Sequence, residues 1–224
     1  MTPTSTFRRP LAELLGTMFL VAAVVGSGVM ADKLAGGNVA VALLANTVAT
    51  AAALLALITT LGPVSGAHFN PVVTIVEALD GGLPWRSVPV YVVIQVVGAV
   101  AGAVLAHAMF GLPLYSLSTH ERSGGAQLLS EGVATFGLLL VIGGVARSKP
   151  AAVPACVAGY IAAAYWFTAS TSFANPAVTI ARAFSDTFAG IRPVDVPGFL
   201  LAQLVGAVAC VGVRRVLWPR ETST

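Results

Sequence analysis

The chain has 224 residues, of which 57% are hydrophobic and only 9% charged. A soluble domain carries about 25% charged residues, so a water-soluble globular protein is excluded. The net charge of +3 is too small and too scattered for a nucleic-acid surface.

Taken in chain order, apolar runs long enough for a span of about 20 residues lie at about 11–31, 39–61, 88–110, 127–146, 151–168 and 197–217. The first follows Arg8 and Arg9 but continues too far, and lacks a cleavage site, for a removed signal peptide. Cys156 and Cys210 fall inside apolar runs, as buried thiols do, and give no disulfide framework. Two shorter segments, about 71–79 and 176–185, follow two copies of one phrase: Asn70-Pro71-Val72-Val73-Thr74-Ile75 and Asn175-Pro176-Ala177-Val178-Thr179-Ile180. Asn is a preferred N-cap and Pro suits the first helical position, so each phrase starts a helix inside an apolar stretch. Nine helical residues cover about 14 Å, roughly half the hydrocarbon core. A helix start at that depth exposes free N–H groups and a positive dipole end. Lipid cannot solvate them, so they must line a polar cavity.

The halves echo each other. Glu13 and Thr17 recur in register as Glu131 and Thr135, and Gln95-Val96-Val97-Gly98-Ala99 recurs as Gln203-Leu204-Val205-Gly206-Ala207. Each half reads span, span, half-helix, span. An odd number of full spans turns the second copy over, giving inverted repeats at about 8–111 and 126–218. Placing Arg8, Arg9, Arg86, Arg147, Lys149, Arg214, Arg215 and Arg220 inside, against Lys33, Arg122 and Arg192 outside, predicts cytoplasmic termini.

The segments Ser65-Gly66-Ala67-His68-Phe69-Asn70-Pro71-Val72-Val73-Thr74 and Thr171-Ser172-Phe173-Ala174-Asn175-Pro176-Ala177-Val178-Thr179 resemble the aquaporin, or major intrinsic protein, family. Glu13 and Glu131 fit the same pattern, and the resemblance covers essentially the whole chain. It implies an all-α membrane protein of six transmembrane helices and two re-entrant half-helices. It also implies a single channel domain over 1–224, in a homotetramer whose protomers each pass water or small uncharged solutes. The expected setting is the inner membrane. No cofactor, metal, nucleic-acid partner or enzymatic activity is expected.

Within that resemblance, Asn70, Pro71 and Val72 with Asn175, Pro176 and Ala177 form the pore motif. Each Asn oxygen caps its own half-helix and its NH2 faces the pore. A water that accepts both donors turns its hydrogens outward, which breaks a proton wire. Val72 replaces the usual Ala and changes packing more than chemistry. The outer constriction departs from the family: Val178 stands where Arg is usual, Thr50 where an aromatic is frequent, and Ser172 completes the near wall. Ungapped counting gives Ala163 as the fifth-span member, while a shortened loop gives Trp166. A filter of Thr50, Ala163, Ser172 and Val178 lacks a ring and a fixed charge, so it should admit solutes larger than water. Glycerol-like polyols and metalloid hydroxides such as arsenite fit. The Phe173–Val178 stretch is similar to bacterial aquaporins linked to arsenic handling.

Several polar residues carry two readings. Arg182 is one turn past Val178, as a cation at the outer mouth or as the partner of Asp186. Glu77 holds the matching place in the first half-helix. Glu13 and Glu131 either accept N–H groups of the non-helical loops or carry protons. His68 is structural or a pH gate. An ion-coupled secondary transporter, which also uses broken helices, is the alternative function, and a non-transporting scaffold a third.

Overall fold

The computed structural model describes residues 3–219, with side chains from Phe7 onward. Arg220 lies outside the described residues. The helices in chain order are α1 Pro3–Leu34, α2 Val39–Ser65, α3 Pro71–Leu79, α4 Val88–Phe110, α5 Gly125–Ser148, α6 Val153–Phe167, α7 Pro176–Arg182 and α8 Val196–Leu217. Single 3-10 turns at Trp85–Ser87, Pro150–Ala152 and Pro193–Asp195 lead into α4, α6 and α8. Counted with these turns, six helices among the described residues are long and apolar enough to cross a membrane. The chain is an all-α, multi-pass membrane protein, with α3 and α7 as the two short helices.

The order long, long, short, long occurs twice, and packing follows it. Within the first set α1 packs on α4 and α2; within the second α5 packs on α8 and α6. The sets join through α2 with α6, α4 with α7, and α3 with α8. Close approach depends on small residues. A Cβ added to Gly98 on α4 would lie 2.5 Å from the Leu14 carbonyl oxygen of α1, and one on Gly206 of α8 would collide with the Gly132 carbonyl of α5. Outward faces carry Val48, Val93, Leu129, Val205 and Val208, all exposed, as lipid contact requires.

One of the two short helices ends earlier than the sequence predicts. The second short helix stops at Arg182 instead of 185. The Ala183 and Phe184 carbonyls accept from the N–H groups of Ser118 at 3.0 Å and Ser116 at 3.4 Å. The N–H groups of Ala183, Phe184 and Ser185 bond back three residues, to Ile180, Ala181 and Arg182, so the chain leaves the α-helical pattern there.

Gly98→Val should destabilise the fold by about 1–3 kcal/mol, the usual cost of overpacking. A lower thermal midpoint and a loss of monodisperse protein in detergent would be its signature.

A cavity threaded between two asparagine-capped half-helices

Asn70 and Asn175 cap α3 and α7 from extended backbone, at φ −156° and −157°. The Asn70 Oδ1 accepts from Val72 N–H at 3.0 Å, and the Asn175 Oδ1 from Ala177 and Val178 N–H at 3.0 and 3.3 Å. The amide nitrogens differ from the simple expectation of two free NH2 groups. Asn70 Nδ2 donates to the Ala174 carbonyl and Asn175 Nδ2 to the Phe69 carbonyl, both at 2.8 Å. Each amide thus ties its helix start to the opposite loop and keeps one N–H for the cavity. Pro71, Pro176 and Ala177 form the first turns of the short helices. Val72 is buried at 1% exposure and lies off the cavity wall.

The loops before the caps have unusual backbone. Ala67, Phe69, Ser172 and Ala174 have φ between +47° and +52°, and Thr171 has +59°. Left-handed conformations at non-glycine residues cost on the order of 1–3 kcal/mol each and persist only when held by their surroundings. Two buried carboxylates do the holding. Glu13 accepts from Ser65 Oγ at 2.6 Å, His68 N–H at 3.0 Å, Phe69 N–H at 2.8 Å and Gln95 Nε2 at 2.8 Å. Glu131 accepts from Ser170 Oγ at 2.6 Å, Phe173 N–H at 2.8 Å, Ala174 N–H at 2.9 Å and Gln203 Nε2 at 2.7 Å. Each glutamine also donates to the threonine of its half-helix, Gln95 to Thr74 and Gln203 to Thr179, both at 2.9 Å. Four donors around each carboxylate are what an ion buried in an apolar bundle needs.

One cavity of about 260 Å³ runs past both caps. At one end its wall includes His68, Glu77 and Val153; at the other, Thr50, Tyr165, Ser172, Val178 and Arg182. Between them the wall is mostly apolar, with Leu20, Val24, Leu54, Leu138, Val157 and Ile161. His68 shares a hydrogen bond with Thr74 Oγ1 at 3.1 Å and tilts against Tyr91, with ring centroids 5.4 Å apart.

The Thr50 end of the cavity corrects two expectations. Ala163 and Trp166 are both exposed on the far side of α6 and neither touches the cavity. Tyr165 takes the place, with its hydroxyl 3.2 Å from Thr50 Oγ1. Arg182 does not pair with Asp186, whose Oδ1 accepts from Thr119 N–H at 2.8 Å and its hydroxyl at 3.0 Å. Arg182 is buried, donates from Nε to the Ala189 carbonyl, and sits with Cζ 3.3 Å from the Phe173 ring centroid. Arg122 lies over the same ring at 5.0 Å and donates to the Gly190 and Ser170 carbonyls at 2.7 and 3.3 Å. Burial pushes the Arg122 guanidinium down to about 10, which leaves it charged at neutral pH.

The sequence reading missed Tyr165, Phe173, Arg122 and the roles of Gln95, Gln203, Ser65 and Ser170. The glutamines recur in register and Ser65 and Ser170 each stand five residues before their Asn, but repetition alone does not assign them a hydrogen-bonding role. No sequence signal marked Tyr165 or the arginine pair around Phe173.

The family model for major intrinsic proteins matches residues 1–164. The chain is 58% identical over 210 residues to the aquaglyceroporin AqpS of Rhizobium meliloti (strain 1021), covering 94% of this chain and 90% of that one. It is 33% identical over 205 residues to aquaporin NIP1-4 of Oryza sativa subsp. japonica, covering 89% and 72%. The X-ray structure of the aquaglyceroporin from Plasmodium falciparum shares the fold, with a TM-score of 0.67 at 22% identity over 95% of this chain and 97% of that one. The chain belongs to the major intrinsic protein family. It is a passive membrane channel and not an enzyme.

Glu131→Gln would turn an NH2 toward donors that need an acceptor. At about 1–3 kcal/mol per stranded buried donor, the variant should melt well below wild type in detergent, with a smaller folded fraction on size exclusion.

Proposed function

We propose that the continuous cavity is the conduction path for water, glycerol-like polyols and hydroxylated metalloids such as arsenite. The observation that carries the reading is a cavity lined by both Asn caps. The starts of α3 and α7 converge there, so the middle of the path is electropositive and disfavours cations and hydronium. Each Asn offers one amide hydrogen to a passing oxygen. A solute with several hydroxyls and an alkyl or metalloid core suits a path with polar donors on one side and Leu20, Val24 and Leu54 on another.

In this reading Thr50, Tyr165, Ser172 and Val178 form the outer filter. Val178 puts a short apolar side chain where a long cation would narrow the path. The 58% identical relative named as an aquaglyceroporin supports a solute larger than water. The channel domain spans 1–224 as inverted repeats of about 8–111 and 126–218, assembles as a homotetramer, and sits in the inner membrane with cytoplasmic termini. Glu13 and Glu131 are occupied by loop donors, which argues against an ion-coupled transporter.

Swelling of proteoliposomes in water, glycerol and arsenite gradients tests the function. Conduction of water alone would refute the wide filter, and saturable flux tied to an ion gradient would favour a transporter. Asn175→Asp removes the tie to Phe69 and adds a charge at the narrow centre, so flux of all three should fall by about tenfold or more, a barrier rise of roughly 1.4 kcal/mol. Val178→Arg should cut glycerol flux by a similar ~tenfold factor while sparing water, measured by stopped-flow light scattering.

A further inference from the structure

The outer half of the cavity carries a charge that its own residues do not neutralise. Arg182 is 3% exposed, yet lines the cavity. The bond from its Nε to Ala189 leaves the terminal N–H edges of the guanidinium without a protein acceptor among the described residues. Arg122 backs it on the Phe173 ring. No carboxylate lies within ion-pair distance of either guanidinium among the described residues. The nearby acids are taken: Glu131 by the loop, Asp186 by Thr119, and Asp195 by Arg192 and the Arg122 N–H. A second observation points to the same place. The Ser172 hydroxyl, on the cavity wall and 3% exposed, is buried without a hydrogen-bond partner. Buried hydroxyls are seldom left so unless something else binds them.

We propose that the outer half of the cavity is a binding site for a small, planar, monovalent oxyanion of the nitrate or formate class, held by the Arg182 guanidinium and the Ser172 hydroxyl. The site lies on the path that the functional reading assigns to neutral solutes, and rests on that reading for its consequence. A guanidinium edge presents parallel N–H groups that match two oxygens of one planar anion. One charge is the fit. Arg122 is held on backbone carbonyls behind Phe173, so a single cation faces the cavity, and Val178 and Ile161 beside it give a second negative charge nothing to pair with. An anion seated there shares the passage with neutral solutes and slows them. External oxyanion therefore regulates the channel.

Nitrate is the probe, with gluconate at equal ionic strength as the control. Thermal midpoints of the detergent-solubilised protein should rise in nitrate relative to gluconate, because a ligand of the folded state stabilises it. The same nitrate should lower glycerol flux into proteoliposomes severalfold. Both effects should vanish in Arg182→Met, and Arg182→Lys should need roughly tenfold more nitrate, since a point charge cannot form the paired bonds. If Arg182→Met does not fold, Ser172→Ala serves, with a weakened response expected. A wild type whose midpoint is indifferent to nitrate, or shifts equally in the variants, overturns the site. Absence of glycerol flux with a normal nitrate shift overturns the conduit instead and leaves the anion site standing.

Discussion

Everything in this molecule depends on how non-helical backbone survives inside an apolar bundle. The loops before Asn70 and Asn175 must present N–H groups at a depth where no water competes for them, and each such group without a partner costs several kcal/mol. Glu13 and Glu131 answer that demand, each by accepting two of those N–H groups together with a serine hydroxyl and a glutamine amide. The exchange is reciprocal. A lone carboxylate could not stay charged there, and the loops could not keep their left-handed residues without a rigid acceptor. Carboxylate and loop stabilise one another, and neither would be tolerated alone.

The rigidity has a functional reading. The two caps bind each other's loops through Asn70 to Ala174 and Asn175 to Phe69, so neither half-helix start can shift without disturbing the other half. The donors that face the cavity are thereby fixed in place before a solute arrives. In a narrow path, donors that need no reorganisation replace lost hydration at little cost, which is the requirement for fast passage of molecules that leave water reluctantly.

Much of this was legible in the sequence because the signals are local or repeated. Spans follow from apolar length, half-helix starts from the Asn-Pro pairs, and the carboxylate role from two intramembrane Glu in register. The Thr50 end of the cavity was legible only in part, for two physical reasons. Which residue of α6 faces inward depends on how that helix rotates against α2 and α5; the helix is apolar around most of its circumference, so no periodicity selects Tyr165 over Ala163 or Trp166. The pairing of Arg182 with Asp186 assumed helical geometry between them. The i,i+4 rule holds only inside a helix, and α7 ends at Arg182, where the N–H groups of Ala183, Phe184 and Ser185 turn back to the carbonyls three residues earlier.

That early end explains where the charge of this constriction resides. A helix continued to 185 would leave Arg182 on an ordinary turn, with Asp186 one turn further along the same face. By stopping, the chain folds back so that the Ala189 carbonyl reaches the Arg182 Nε and the guanidinium settles over Phe173. The cation is thus held off the position of Val178, one turn further along α7. Steric narrowing and positive charge, which one arginine at position 178 would supply together, are separated here. In the proposed conduction path Val178 and Tyr165 line the wall, and Arg182 adds its positive charge to it. A path built this way can be wide without becoming permissive to cations, because field strength in a low-dielectric wall survives a displacement of one helical turn while steric contact does not.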